Sequence, residues 1–193
     1  SITESRAEHG MDLAGTGLRL GICILFAILI GLGGWMRIPL PWTPVPVTMQ
    51  TFFVFLAASL LGADTGTAAV FLYLIMGVLG LPVFSGGTSG TGVLIGPTGG
   101  YLVGFFIATM IVGWMVSGHE KVSNFRLISA LIIGNLIIYT CGLIILVCFF
   151  PGGKPVHLLI AGVLPFIPGD IIKLIGVFII YRVSVNKVKK LIS

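Results

Sequence analysis

Between residues 18 and 181 the sequence is a series of about six apolar runs, separated by short or glycine- and proline-rich connectors. They cover roughly residues 18–35, 47–61, 67–81, 101–116, 127–150 and 156–181, the second and third being short. A helix needs about 20 mostly apolar residues to cross the roughly 30 Å hydrocarbon layer of a bilayer. Backbone in lipid must satisfy its own hydrogen bonds, and runs this long and unalternating do not suit barrel strands. The expected fold is therefore all-α: a polytopic membrane protein with a bundle of about six transmembrane helices. Composition agrees. Only 9% of the 193 residues are charged, against about 25% in an ordinary soluble domain. A soluble enzyme and a disordered chain are excluded on that ground.

The net charge of +5 invites a nucleic-acid reading, but the cations form short clusters at the edges of apolar runs. Their distribution points instead to orientation, because cytoplasmic loops are enriched in Lys and Arg. Arg6, Arg19, Lys121, Arg126, Arg182, Lys187, Lys189 and Lys190 fall in one set of segments, and only Arg37 and Lys154 in the opposite set. Both termini are thus expected in the cytoplasm. Residues 1–17 lack the charged start, short apolar core and cleavage site of a secretory signal. They are expected to be a disordered tail or a vector remnant, followed by a membrane domain over 18–182 and a basic cytoplasmic tail over 183–193. Cys23, Cys141 and Cys148 lie within apolar runs as small packing residues, and neither they nor the scattered histidines have metal-ligand spacing.

Two connectors on the outward side stand out. Four prolines, Pro39, Pro41, Pro44 and Pro46, fall within eight residues, which makes that segment stiff and extended. In residues 86–100, seven of fifteen are glycine, so backbone groups there can approach a ligand closely. No Lys-Ser or Lys-Thr follows, so this is not a nucleotide phosphate loop. The sixth run holds Asp170 and Lys173, three residues apart on one helix face behind Pro165, Pro168 and Gly169. Each charge near a bilayer centre costs roughly 2.5–3.5 kcal/mol, so such residues are functional candidates by default. The pair either locks two helices or serves a ligand, with Asp170 accepting N–H groups and Lys173 facing a carboxylate or carbonyl. Asn135 and Tyr139, four apart in run five, fit interhelical hydrogen bonding or ligand contact equally, as do Thr48 and Gln50. Trp42, Phe84, Tyr73 and Tyr101 fit either an interfacial aromatic belt or the wall of a pocket. Two small-residue pairs in run one, Gly17/Gly21 and Ala27/Gly31, allow close helix approach, inside the bundle by default or to a partner.

Four segments together resemble one family. Ile38-Pro39-Leu40-Pro41 through Thr43-Pro44-Val45-Pro46-Val47-Thr48-Met49-Gln50 is similar to the opening signature of BioY proteins, the biotin-specific substrate-binding (S) components of energy-coupling factor (ECF) transporters. Gly80-Leu81-Pro82-Val83-Phe84-x-Gly86-Gly87, Gly96-Pro97-Thr98-Gly99-Gly100-Tyr101-Leu102 and Pro165-Phe166-Ile167-Pro168-Gly169-Asp170-x-x-Lys173 follow in the same order and spacing. The resemblance spans about residues 18–182. It implies a six-helix bundle in a bacterial or archaeal cytoplasmic membrane that captures biotin from outside. It also implies partners, a transmembrane coupling protein and two ATPase subunits, so that ATP is used by other chains and this one needs no cofactor of its own. Asp170 and Lys173 map onto biotin-contacting positions, and Ala27 and Gly31 onto the face that docks the coupling protein. Asn135, Tyr139, Trp42, Gln50, Phe84, Ser85, Gly96, Thr98 and Tyr101 complete the candidate substrate-binding set.

Biotin carries an apolar bicycle, a ureido group with two N–H donors and one carbonyl, and a valerate carboxylate. An aromatic-lined pocket with one acid and one base suits it, with the roles of Asp170 and Lys173 left open. The competing readings are an S component for thiamine or riboflavin, and a membrane assembly protein without transport. An intramembrane enzyme finds no support, since no paired aspartates, Ser–Lys or Ser–His dyad, or HExxH motif is present in the runs.

Overall fold

The computed structural model describes the backbone of residues 2–119, 121–150 and 155–192, and the side chains of residues 16–119, 121–150 and 156–188. Lys154 and the side chains of Arg6, Lys189 and Lys190, which entered the orientation count, lie outside the described residues.

Helix α1 (Ile2–Trp35) has its apolar span at Thr16–Trp35, and its helical backbone continues through the segment expected to be a tail. The proline segment that follows leaves the helical regime, as fixed φ angles require. Its two ends, β1 (Arg37–Ile38) and β2 (Val47–Thr48), pair antiparallel with Arg37 opposite Thr48, a small departure from an all-helical fold. Helix α2 (Gln50–Val78) is broken at Gly62, where φ is 78° and ψ −170°. That conformation is open essentially to glycine alone. The break is a reversal. The Gln50 amide nitrogen lies 2.5 Å from the Tyr73 hydroxyl, whereas a straight helix would hold those residues about 35 Å apart. The second and third expected runs are therefore the two antiparallel arms of α2.

After the glycine-rich connector, which contains a 3-10 turn at Ser85–Gly87 and the short helix α3 (Thr91–Ile95), come α4 (Gly99–Val116) and α5 (Asn124–Leu146). These two cross closely. A Cβ on Gly104 would lie 2.9 Å from the Ile138 Cα, and one on Gly100 would strike the Cys141 carbonyl. Two glycines one turn apart thus bring backbone to backbone, where van der Waals packing substitutes for a hydrophobic drive. The sixth run is divided into α6 (Pro155–Gly162) and α7 (Ile167–Ile192), bent by 45°. Pro165 falls in the break, and Pro168 sits in the first turn of α7, where its missing N–H costs no helical bond. Four helices are individually long and apolar enough to span a membrane, and α6 with α7 makes a fifth. With α2 doubled back at Gly62, the chain has six arms. α2 lies at the centre, packed on α1, α4 and α7.

The contacts sort the connectors into two ends. The Gly62 turn meets the 117–126 loop through the Ala63 N–H and the Ser117 hydroxyl. The Arg126 Nε donates to the Met115 carbonyl at 2.6 Å, and Arg182 on α7 donates to the Val122 carbonyl at 2.8 Å. The proline ribbon and the glycine connector share the opposite end, where the Trp35 indole N–H donates to the Pro82 carbonyl. This division matches the two loop sets read from the sequence.

The small pair Ala27/Gly31 is not a docking surface. Ala27 has no exposed surface, and a Cβ on Gly31 would lie 3.2 Å from Val83. The pair admits the chain's own glycine connector, so the partner-docking expectation for these two residues is corrected. The exposed face of α1 is built by Leu18, Leu20, Ile24, Leu25, Ile28 and Leu32.

Candidate functional site

A cavity with about 580 Å³ of empty space, its open mouth included, lies at the ribbon-and-glycine end. Three helices supply its polar floor. The first turn of α2 brings Gln50 and Thr51, α5 brings Tyr139, and the start of α7 brings Asp170 and Lys173. The break between α6 and α7 is what makes this floor, because it starts a new helix at this depth and sets Asp170 in its first turn. A carboxylate there is favoured by the helix dipole.

The floor is a connected network. Lys173 Nζ donates to Asp170 Oδ1 at 2.8 Å and to the Thr51 hydroxyl at 3.0 Å. Tyr139 OH donates to Asp170 Oδ2 at 2.5 Å, and the Thr51 hydroxyl lies 3.5 Å from Asp170 Oδ1. Asp170 and Lys173 are 4% and 8% exposed, so the two charges are held together in an almost dry setting. Breaking such a pair by removing one partner typically costs about 3–5 kcal/mol. Each carboxylate oxygen already has a donor, whereas an ammonium has three N–H groups and only two of those on Lys173 are engaged. The cluster therefore offers a ligand one strong donor together with acceptor lone pairs on Asp170.

The walls are apolar and come from the connectors as much as from the helices. Val45 and Pro46 come from the ribbon loop, Phe84 and Ser85 from the glycine connector, and Val93 from α3. Thr98 caps the start of α4, which adds Tyr101, Leu102 and Phe105, while Ile138 and Phe166 close the far side. Phe84 is fully buried and meets Tyr73 edge-on at 5.6 Å. Its ring fills the space that a side chain at position 77 would need: a Cβ on Gly77 would strike it. The connector is thus pinned into the bundle by one aromatic anchor. Tyr101 donates its hydroxyl to the Gly162 carbonyl at 2.7 Å, so it serves as a wall and as a tie to α6. The Ser85 hydroxyl is buried without a hydrogen-bond partner. Buried polar atoms in that condition are rare, and this one belongs to a residue that lines the cavity.

Of the residues expected from the sequence, Asp170, Lys173, Tyr139, Gln50, Phe84, Ser85, Thr98 and Tyr101 line this cavity. Three do not. Trp42 is 58% exposed on the proline loop, so the interfacial reading of that side chain replaces the pocket reading. Asn135 lies one helical turn behind Tyr139, outside the lining, with its carboxamide oxygen buried and unpartnered. Gly96 lines an adjoining cavity, which shares Pro46, Ser85, Val93 and Thr98 with the first. Thr51 was missed. A threonine in an apolar run carries no signal of its own, and its part in the charge network appears only when α2 meets α7.

The comparisons with known proteins agree with this geometry. A family model described as the BioY family matches residues 11–190. A biotin transporter BioY from Thermotoga maritima is 39% identical over 151 residues, covering 78% of this chain and 86% of its own. A probable biotin transporter BioY from Pyrococcus horikoshii is 40% identical over 154 residues, covering 80% and 88%. Among solved structures, the crystal structure of an S-component for biotin from an ECF-type ABC transporter superposes with a TM-score of 0.77. It is 30% identical, and the match covers 85% of this chain and 88% of that one.

Proposed function

The chain belongs to the BioY family, and from that premise we propose that it binds biotin and mediates its uptake as the substrate-specific subunit of an ECF transporter. It is a multi-pass membrane protein. The observation that carries the reading is the cavity itself. A buried acid–base network forms its floor, and apolar side chains form its walls. A fused apolar bicycle fits such walls, and the ureido group, with two donors and one acceptor, matches Asp170 and the free N–H of Lys173. A neutral ligand head also leaves the Asp170–Lys173 pair electrically balanced, which matters where charges are desolvated.

The energising steps belong to other chains in this reading. A transmembrane coupling protein and two ATPase subunits complete the transporter, and ATP is consumed there. The cavity end faces outward, and the end formed by the Gly62 turn and the 117–126 loop faces the cytoplasm with both termini. The topology has a direct check. In intact cells, an impermeant thiol reagent should label a cysteine at Thr88 and spare one at Lys121. The reverse pattern would invert the orientation.

Biotin binding is tested by isothermal titration of ligand-stripped protein, with thiamine and riboflavin as controls. The expected result is saturable, stoichiometric binding of biotin alone. Binding of either control in its place would move the chain to another vitamin.

A further inference from the structure

The adjoining cavity is lined by residues of the proline ribbon and the glycine connector, Arg37, Ser85 and Thr98 among them. It contains the one cation that the floor network does not account for. Arg37 lies in β1 with its guanidinium laid over Gly86, against which an added Cβ would strike. Gly86 has φ 73°, so the connector bends there in a way that leaves room for the guanidinium. Among the described residues, no hydrogen bond or ion pair engages the Arg37 side chain. The sequence explains why. Of its six acidic residues, Glu4, Glu8, Asp12, Asp64 and Glu120 belong by chain position to the first part of α1, the turn beside Gly62 and the 117–126 loop. None of these segments belongs to the ribbon-and-glycine end. The sixth, Asp170, is already paired with Lys173. Arg37 is a cation without a counter-ion at the entrance to a ligand cavity.

The two cavities differ in the charge that they can accept. On the floor, Asp170 and Lys173 sum to zero, so a ligand carboxylate placed there would leave one uncompensated charge in a nearly dry site, an arrangement proteins avoid. At the mouth, a carboxylate would instead neutralise Arg37, whose planar fork of N–H groups matches it in bidentate fashion. Ser85 and Thr98 line both cavities and mark the passage between them.

We propose that Arg37 is the specificity residue for the carboxylate of the ligand, gripping the end of the valerate chain at the mouth while the neutral ureido bicycle occupies the floor. This deepens the biotin reading and rests on it. It assigns the two ends of the ligand, which the sequence left open, and gives Arg37 a role that the motif reading passed over.

The test is a cycle between protein and ligand. Wild-type protein, Arg37→Gln and Arg37→Lys are each titrated with biotin and with its uncharged carboxamide. Wild-type protein should prefer biotin by about fivefold, the upper range for a solvent-accessible ion pair. Arg37→Gln should lose that preference through weaker biotin binding alone, and Arg37→Lys should restore much of it. Equal loss of both ligands in Arg37→Gln would overturn the proposal, because Arg37 would then be only a clamp on the Gly86 bend. An unchanged preference would overturn it in favour of Lys173 as the carboxylate partner. If wild-type protein binds neither ligand, the biotin reading itself fails, and this assignment fails with it.

Discussion

The two ends of the bundle solve the problem of joining helices in opposite ways. At the Gly62 end the connectors are tight, with a reversal at Gly62 and a short loop over which Arg126 bonds the last turn of α4 and Arg182 bonds the Val122 carbonyl. At the other end a proline ribbon and a glycine-rich connector fold back between the helices, pinned by Phe84 and by the Trp35 indole. The first arrangement closes the helix ends with hydrogen bonds between side chains and backbone. The second encloses a cavity, because stiff and glycine-rich segments can sit at a distance from the helix ends. Both preserve the membrane requirement that polar backbone be satisfied. Only the second brings an acid, a base and an apolar wall together around one cavity.

That contrast can be broken or sharpened by substitution. Phe84→Ala removes a fully buried ring from between Tyr73 and Gly77, and should cost about 3–5 kcal/mol of stability. Thermal unfolding in detergent would show it, together with weakened biotin binding, since the same ring is a cavity wall. Asp170→Asn keeps the shape of the floor but removes its negative charge. Biotin affinity should fall on the order of a hundredfold by titration, while near-normal affinity would remove Asp170 from the site. Gly62→Ala puts a Cβ at positive φ, 2.6 Å from the Ser117 hydroxyl. It should cost about 1–3 kcal/mol in unfolding with the biotin dissociation constant unchanged in the protein that folds. Arg126→Gln, at the same end, should lower stability by less than about 1 kcal/mol and leave binding untouched. Comparable binding losses from Gly62→Ala and Asp170→Asn would erase the distinction between the ends.

The sequence made the spans legible because bilayer thickness sets a length that apolar runs either meet or miss. The two arms of α2 stood out as separate short runs, and the kink ahead of Asp170 followed from Pro165 and Pro168. The site was legible where chemistry is costly. An acid and a base in an apolar run demand a reason, and Asp170 and Lys173 indeed share the cavity floor. It was illegible where the outcome depends on which elements meet. The Ala27/Gly31 pair announces a close approach without naming the neighbour, which proved to be Val83 of the same chain. Trp42 stands near the right connector, but nothing in its spacing says that the ribbon turns it outward. Thr51 joins the charge network only through the packing of α2 on α7, a contact 122 residues apart in sequence.

The most direct measurement is ligand protection of single cysteines in a background with Cys23, Cys141 and Cys148 replaced. Cysteines are placed at Thr98, on the cavity wall, and at Lys121, at the opposite end. Saturating biotin should slow maleimide labelling at position 98 and leave position 121 unchanged. Equal labelling at position 98 with and without biotin, in protein that titration shows to bind biotin, would contradict it.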